Sequence, residues 1–204
     1  GIKDAEMDKY GYIYATIPAT SSKKVPLRCF CSHMDTSPDC SGTNVNPQVH
    51  KNYQGGTIQL PNDKTQVLTP VAHPDLANQI GNDIITADGT TLLGADNKAG
   101  LAEIMAAAEY LLQHTEIKHG TIRILFTPDE EVGHGVDKVD MKKLGAEFGY
   151  TMDGESLGHI EAENFSAHAV TITINGVSAH PGFAKGKLEN AIKVAGAIID
   201  KLPK

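Results

Sequence analysis

Four short segments hold the residues able to do chemistry: His33-Met34-Asp35, Leu93-Gly94-Ala95-Asp96-Asn97, Thr127-Pro128-Asp129-Glu130-Glu131 and Thr151-Met152-Asp153-Gly154. Imidazole with several carboxylates is a donor set that suits zinc, cobalt or manganese. His33 and Asp35 are two positions apart, so on an extended strand both side chains point to the same side. A carboxylate beside a liganding imidazole commonly accepts the proton on its other nitrogen and fixes the tautomer, the role expected for Asp35. Asp96 stands at a strand-to-helix turn, where one carboxylate can reach two cations. Glu130 and Glu131 follow an apolar run, and adjacent acids there cost repulsion and desolvation unless something positive lies beside them. One of the pair can bind metal while the other takes a proton from metal-bound water. Asp153 offers a further ligand, and Glu155 is expected to face solvent. Any one of these acids alone reads as an ordinary surface residue. Their recurrence in four such segments argues for a hydrolytic metal site.

The elements that must position these residues alternate in type. Residues 11–18 and 25–31 read as strands, the second ending at the His33 corner. Residues 37–74 are rich in Asn, Pro, Gly and Asp and read as a surface excursion with a small hairpin at 57–60 and 65–69. Short strands are expected at 83–86 and 90–93, around the Asp88-Gly89 turn signal. A helix follows from Asn97 to about Gln113, capped by Asp96 or Asn97 and apolar around most of its girth, hence expected to be buried on more than one side. Residues 121–127 form a strongly apolar strand, and a helix between two strands is what a right-handed parallel crossover requires. A short helical piece at 140–144 and a strand at 148–152 come next. Alternation predicts strands at 158–163 and 167–175, then an amphipathic helix from about Leu188 to Asp200. The order is that of an α/β fold.

Composition bounds the rest. The chain has 204 residues, enough for one large domain or one domain and part of another, and a net charge of -7 that gives nucleic acid no general surface. No run approaches the roughly 20 apolar residues of a membrane span, and no signal-peptide pattern is present, so the cytoplasm is the expected compartment. Three cysteines are too sparse for a disulfide scaffold. Cys29, Cys31 and His33 alternate on one strand face, but a single strand spaces them too regularly to wrap one tetrahedral ion, so the thiols are expected in the core. Asn164-Phe165-Ser166 matches a glycosylation sequon and reads as chance. The glycines form no dinucleotide fingerprint. His180, in Ser178-Ala179-His180-Pro181-Gly182, reads either as an exposed turn residue or as a donor to a substrate carboxylate or oxyanion.

These motifs resemble the M20-type di-metal aminopeptidases, and within them the tripeptidase branch called peptidase T. The segments that carry the resemblance are HMDTSPDCSG at 33–42, LLGADNKAG at 92–100, FTPDEEVGHG at 126–135, TMDGESLG at 151–158 and HPGFAKGKLENA at 180–191. Essentially the whole chain is covered. The resemblance implies a three-layer αβα sandwich with a mixed, largely parallel sheet. It places the catalytic metal-binding domain at 1–162 and the start of an α+β lid or dimerisation domain at 163–204, both incomplete, in a chain truncated at both ends. By the same resemblance His33 and Asp153 would bind the first metal, Asp96 would bridge two metals and Glu131 would bind the second. Asp35 would orient His33, Glu130 would be general base and acid, and His180 would hold substrate. The implied reaction is attack by metal-bound hydroxide on the N-terminal peptide bond of tripeptides, with Zn2+ (or Co2+ or Mn2+) as cofactor. Two ions per site belong to the intact family; here one strong site is expected, because the family's downstream histidine ligand has no match, and hydrolysis is expected to be impaired. A homodimer is implied, with no nucleic-acid or membrane partner. A related amidohydrolase or deacylase, and an inactive metal-binding scaffold, are the alternatives.

Overall fold

The computed structural model describes residues 1–154, 157–164 and 166–203. Glu155, expected to face solvent, and Phe165 of the sequon lie outside them. The chain divides into two units, Gly1–Ile160 and Glu161–Lys204.

The first unit is built on a sheet of five strands: β1 (Glu6–Met7), β2 (Ile13–Ile17), β3 (Arg28–His33) and two later ones. The excursion that follows β3 carries β4 (Gln48–His50), β5 (Ile58–Gln59), β6 (Val67–Leu68) and β7 (Ile84–Thr86). Helix α1 (Ala95–Gln113) then leads to β8 (Ile122–Thr127), and α2 (Met141–Leu144) leads to β9 (Phe148–Thr151). The sheet order is β1-β2-β8-β3-β9. β3 runs parallel to both β8 and β9, and β1 and β2 are antiparallel additions, so the sheet is mixed.

Alternation sorts each strand between two layers. Ala15 and Ile17 of β2 and Ile124 and Phe126 of β8 pack with Ile104 and Ala108 of α1. On the other face Tyr12, Tyr14, Cys29 and Leu125 pack with Leu144 of α2. The hydroxyls of Tyr12 and Tyr14 accept from the backbone N–H groups of Lys138 (3.2 Å) and Asp140 (2.9 Å), which ties down the loop before α2. Helix, sheet and helix make three layers. Cys29 is buried and Cys31 half-buried, and burial pushes their thiols up to about 11 and about 12, as inert core thiols require.

Several expectations are corrected. Residues 90–93 form no strand: the Asp88 carboxylate turns back to accept from Thr90 N (3.0 Å) and Thr90 Oγ1 (2.7 Å), and β7 pairs instead with β4. Helix α1 buries one stripe, Asn97, Gly100, Ile104 and Ala108, while Met105 and Tyr110 are exposed. Much of its apolar girth is alanine, which costs little to leave in water. Further on, 158–163 and 167–175 are not strands among the described residues; Ile160, Val170 and Ile172 are exposed, and alternation without a pairing partner makes no sheet. A single bridge, Val177 to Glu189, precedes α3 (Ala191–Ile199), which starts later than expected because Asn190 caps it, accepting from Ile192 N (2.9 Å) and Lys193 N (3.2 Å).

Candidate metal centre

Parallel pairing does the gathering. In register His33 lies opposite Thr127 and Cys31 opposite Thr151, so the carboxyl ends of β3, β8 and β9 sit side by side. The segments after them, with Asp35, Glu130, Glu131 and Asp153, therefore leave from one edge, where open α/β sheets bind ligands. Asp96 arrives from the start of α1. Its residue and the next depart from helical geometry, and Asn97 Oδ1 accepts from Gly100 N (3.2 Å), the contact expected of a capping residue. The helix comes close here because Gly100 has no Cβ: one would lie 1.8 Å from the Met152 carbonyl oxygen.

His33 is the centre, 3% exposed. Its Nε2 lies 2.9 Å from Asp96 Oδ1 and 3.8 Å from both Glu130 Oε2 and Asp153 Oδ2. Its Nδ1 faces the Asp35 carbonyl at 3.2 Å and Asp35 Oδ1 at 3.3 Å. Asp35 in turn accepts from the backbone N–H of Glu130 at Oδ1 (3.2 Å) and of Glu131 at Oδ2 (3.0 Å). Asp129, in the left-handed region at φ 60°, makes the turn that precedes those two N–H groups. Burial works to raise the Asp35 carboxyl, but the N–H groups of Glu131 and Glu130 and the nearby imidazole outweigh it and hold the group below the usual aspartate value. Burial works to lower His33, yet the hydrogen bond to Asp96 and the charges of Asp153, Asp35 and Glu130 raise it. Asp153 is pushed up by burial and by the Asp96 carboxylate, against the pull of His33.

One nitrogen of His33 and one carboxylate oxygen each of Asp96 and Asp153 lie within 4.8 Å of one another. Donors about 2.0–2.1 Å from a tetrahedral ion stand roughly 3.4 Å apart, so separations of 2.9 and 3.8 Å from the imidazole suit such an ion with small adjustments. Nδ1 is held by Asp35, which leaves Nε2 as the nitrogen aimed at the carboxylates. The donor set fits a divalent cation. Glu131 lies outside this group and lines, with Asp96, Thr36, Ser37, Leu92, Gly94 and Ala95, an adjoining cleft. His180 belongs to the second unit, where its ring is exposed and its Nδ1 accepts from Gly182 N (3.1 Å), capping the turn Pro181–Phe183. The sequence reading missed Ser32, whose buried hydroxyl reaches the Asn97 carbonyl (2.8 Å). The readable signal was a serine between Phe30 and Met34 on an otherwise apolar strand face.

Peptidase T of Geobacillus kaustophilus is 52% identical over 203 residues, covering 100% of this chain and 49% of the relative. Peptidase T of Listeria innocua is 50% identical over 204 residues, with 100% and 50% covered. By sequence, the chain is peptidase T-like throughout. The family profile described as peptidase dimerisation domain, of M20 type, matches residues 162–204. The crystal structure of aminopeptidase PepT from Bacillus cereus matches at TM-score 0.62 and 27% identity, over 98% of this chain and 47% of that one. A tripeptidase from Staphylococcus aureus matches in fold, at TM-score 0.65 and 23% identity, over 99% and 47%. The peptidase T-like chain thus spans about half the length of the curated relatives it matches.

Proposed function

We propose that the first unit is the metal-binding catalytic part of an M20-type aminopeptidase acting on tripeptides with a free amino terminus. The observation that carries this reading is the convergence of His33, Asp96 and Asp153 beside Glu130, in a chain half-identical to peptidase T. A divalent cation, zinc by preference and cobalt or manganese by the same donor logic, would supply Lewis acidity and lower the pKa of water. His33, Asp96 and Asp153 would hold it, and Asp96 with Glu131 faces the cleft where a second would sit. Asp35 keeps the imidazole tautomer, its own charge fixed by two backbone N–H donors. Glu130, with its carboxylate 3.8 Å from His33 Nε2 and its side chain half open to solvent, takes a proton from water and returns it to the leaving amine. His180 would orient substrate from the second unit, whose exposed Ile192 and Ile199 would face a second copy in a homodimer. Among the described residues no helix is long and apolar enough to cross a membrane, and we assign the reaction to the cytoplasm.

The test is calorimetric titration of the chelator-stripped chain with zinc. One tight site, lost in Asp153→Ala, is expected, together with preference for tripeptides over acylated amino acids where turnover is measurable. Absence of any tight zinc site would overturn the reading, and preference for acylated amino acids would move it to a deacylase.

A further inference from the structure

We propose that Ser32 is a positioning residue for this centre, acting through its hydrogen bond to the backbone of Asn97; the inference rests on the metal-site reading above. Ser32 Oγ donates to the Asn97 carbonyl at 2.8 Å, and the two residues are 2% and 3% exposed. Each is the chain neighbour of a proposed ligand, Ser32 before His33 and Asn97 after Asp96. The bond therefore joins the end of β3 to the start of α1 where His33 Nε2 and Asp96 Oδ1 come within 2.9 Å.

The backbone at this point cannot be held by helix regularity. Asp96 (φ -81°, ψ 108°) and Asn97 (φ -119°, ψ 38°) have non-helical dihedrals, so α1 is kinked at these two residues. Two side-chain bonds brace the kink: Gly100 N donates to Asn97 Oδ1, which ties the segment to its own helix, and Ser32 Oγ donates to the Asn97 carbonyl, which ties it to the strand. Without the hydroxyl, the buried Asn97 carbonyl loses its one bond to the strand side, and its peptide is tied to α1 alone. Asp96 then shifts relative to His33, although the Ser32 hydroxyl bonds carbonyls and neither ligand's side chain, reaching that of Asn97 and, at 3.4 Å, that of His33.

Because Ser32 acts through the carbonyl of residue 97, the informative substitutions are at Ser32. Zinc affinity is measured by chelator competition on the stripped wild type, Ser32→Ala and Ser32→Cys, with the visible spectrum of the Co2+-loaded proteins and thermal unfolding of the metal-free ones. The expected result is a zinc affinity lowered roughly 10- to 100-fold in Ser32→Ala, as for other groups that orient metal ligands, with an altered cobalt spectrum. Ser32→Cys, close in shape and a weaker donor, falls between, and carries the test should the alanine variant not fold. Tight zinc binding by the wild type, matched by Ser32→Ala with the same cobalt spectrum, overturns the inference alone. A wild type that binds no zinc overturns the metal-site reading and this inference with it.

Discussion

Gly100 shows how a residue without a side chain can govern a site it does not touch. A Cβ there would stand 1.8 Å from the Met152 carbonyl and 2.6 Å from Asn97 Oδ1, and neither backbone nor cap can yield without moving α1 away from the end of β9. Two effects compete in Gly100→Ala. Alanine favours the helix by about 1 kcal/mol, whereas forcing atoms into a packed interior costs typically 1–3 kcal/mol, more where backbone must shift. The contact is closer than any relaxed packing, so the variant is expected to lose about 2 kcal/mol in urea denaturation and to bind zinc more weakly, because the displaced residue precedes Asp153. A Gly100→Ala protein as stable as wild type with unaltered zinc affinity would refute this account. At this scale the sequence showed which side chains were chemically able, since imidazole and carboxylates declare themselves by type. It did not show the backbone partners: the Asp35 carboxylate is held by N–H groups 95 and 96 residues away, and Ser32 by a carbonyl 65 away.

The excursion between β3 and α1 is organised by an acid that the sequence presented only as half of a turn signal. Asp88 accepts from Thr90 at both N and Oγ1, from Asn62 Nδ2 (2.7 Å) and from Asn46 Nδ2 (3.2 Å). Those bonds, the Thr90 pair foremost, outweigh burial and lower its carboxyl from 3.8 to about 2. A folded-state pKa below the unfolded one stabilises above the unfolded value, and that stability is lost as pH falls through the folded value. The urea-midpoint difference between wild type and Asp88→Asn should therefore be largest near neutrality and shrink as pH falls from about 4 to about 2. A difference that stays constant over that range would assign Asp88 no such role. Where an apolar run had a partner it became a strand, as in β2, β3, β8 and β9; at 167–175 the alternating pattern has none among the described residues and leaves Val170 and Ile172 in solvent. Periodicity gives a segment's faces. Pairing, which makes it a strand, is a property of something elsewhere in the chain.

The two units differ in what holds them. The first has buried clusters on both faces of its sheet and contains all three proposed zinc ligands; among the described residues of the second none is buried, and Phe183, Ile192 and Ile199 are exposed. Local opening free energies follow buried apolar contacts, so amide hydrogen exchange should separate β3 and β8, opening only with the unit's core, from α3, opening readily. A ligand that binds only the folded form adds about 2.7 kcal/mol at 100 times its Kd. Zinc at that excess should slow exchange in β3, β8 and the first turns of α1 by up to about 100-fold, the same energy read as a rate. Protection of α3 should answer to protein concentration instead, because the proposed second copy is what would cover its apolar residues, and mass action ties such burial to concentration. Measuring both dependences on one sample separates the two ideas. Zinc-insensitive exchange in β3 would count against the metal centre, and concentration-independent exchange in α3 against the homodimer.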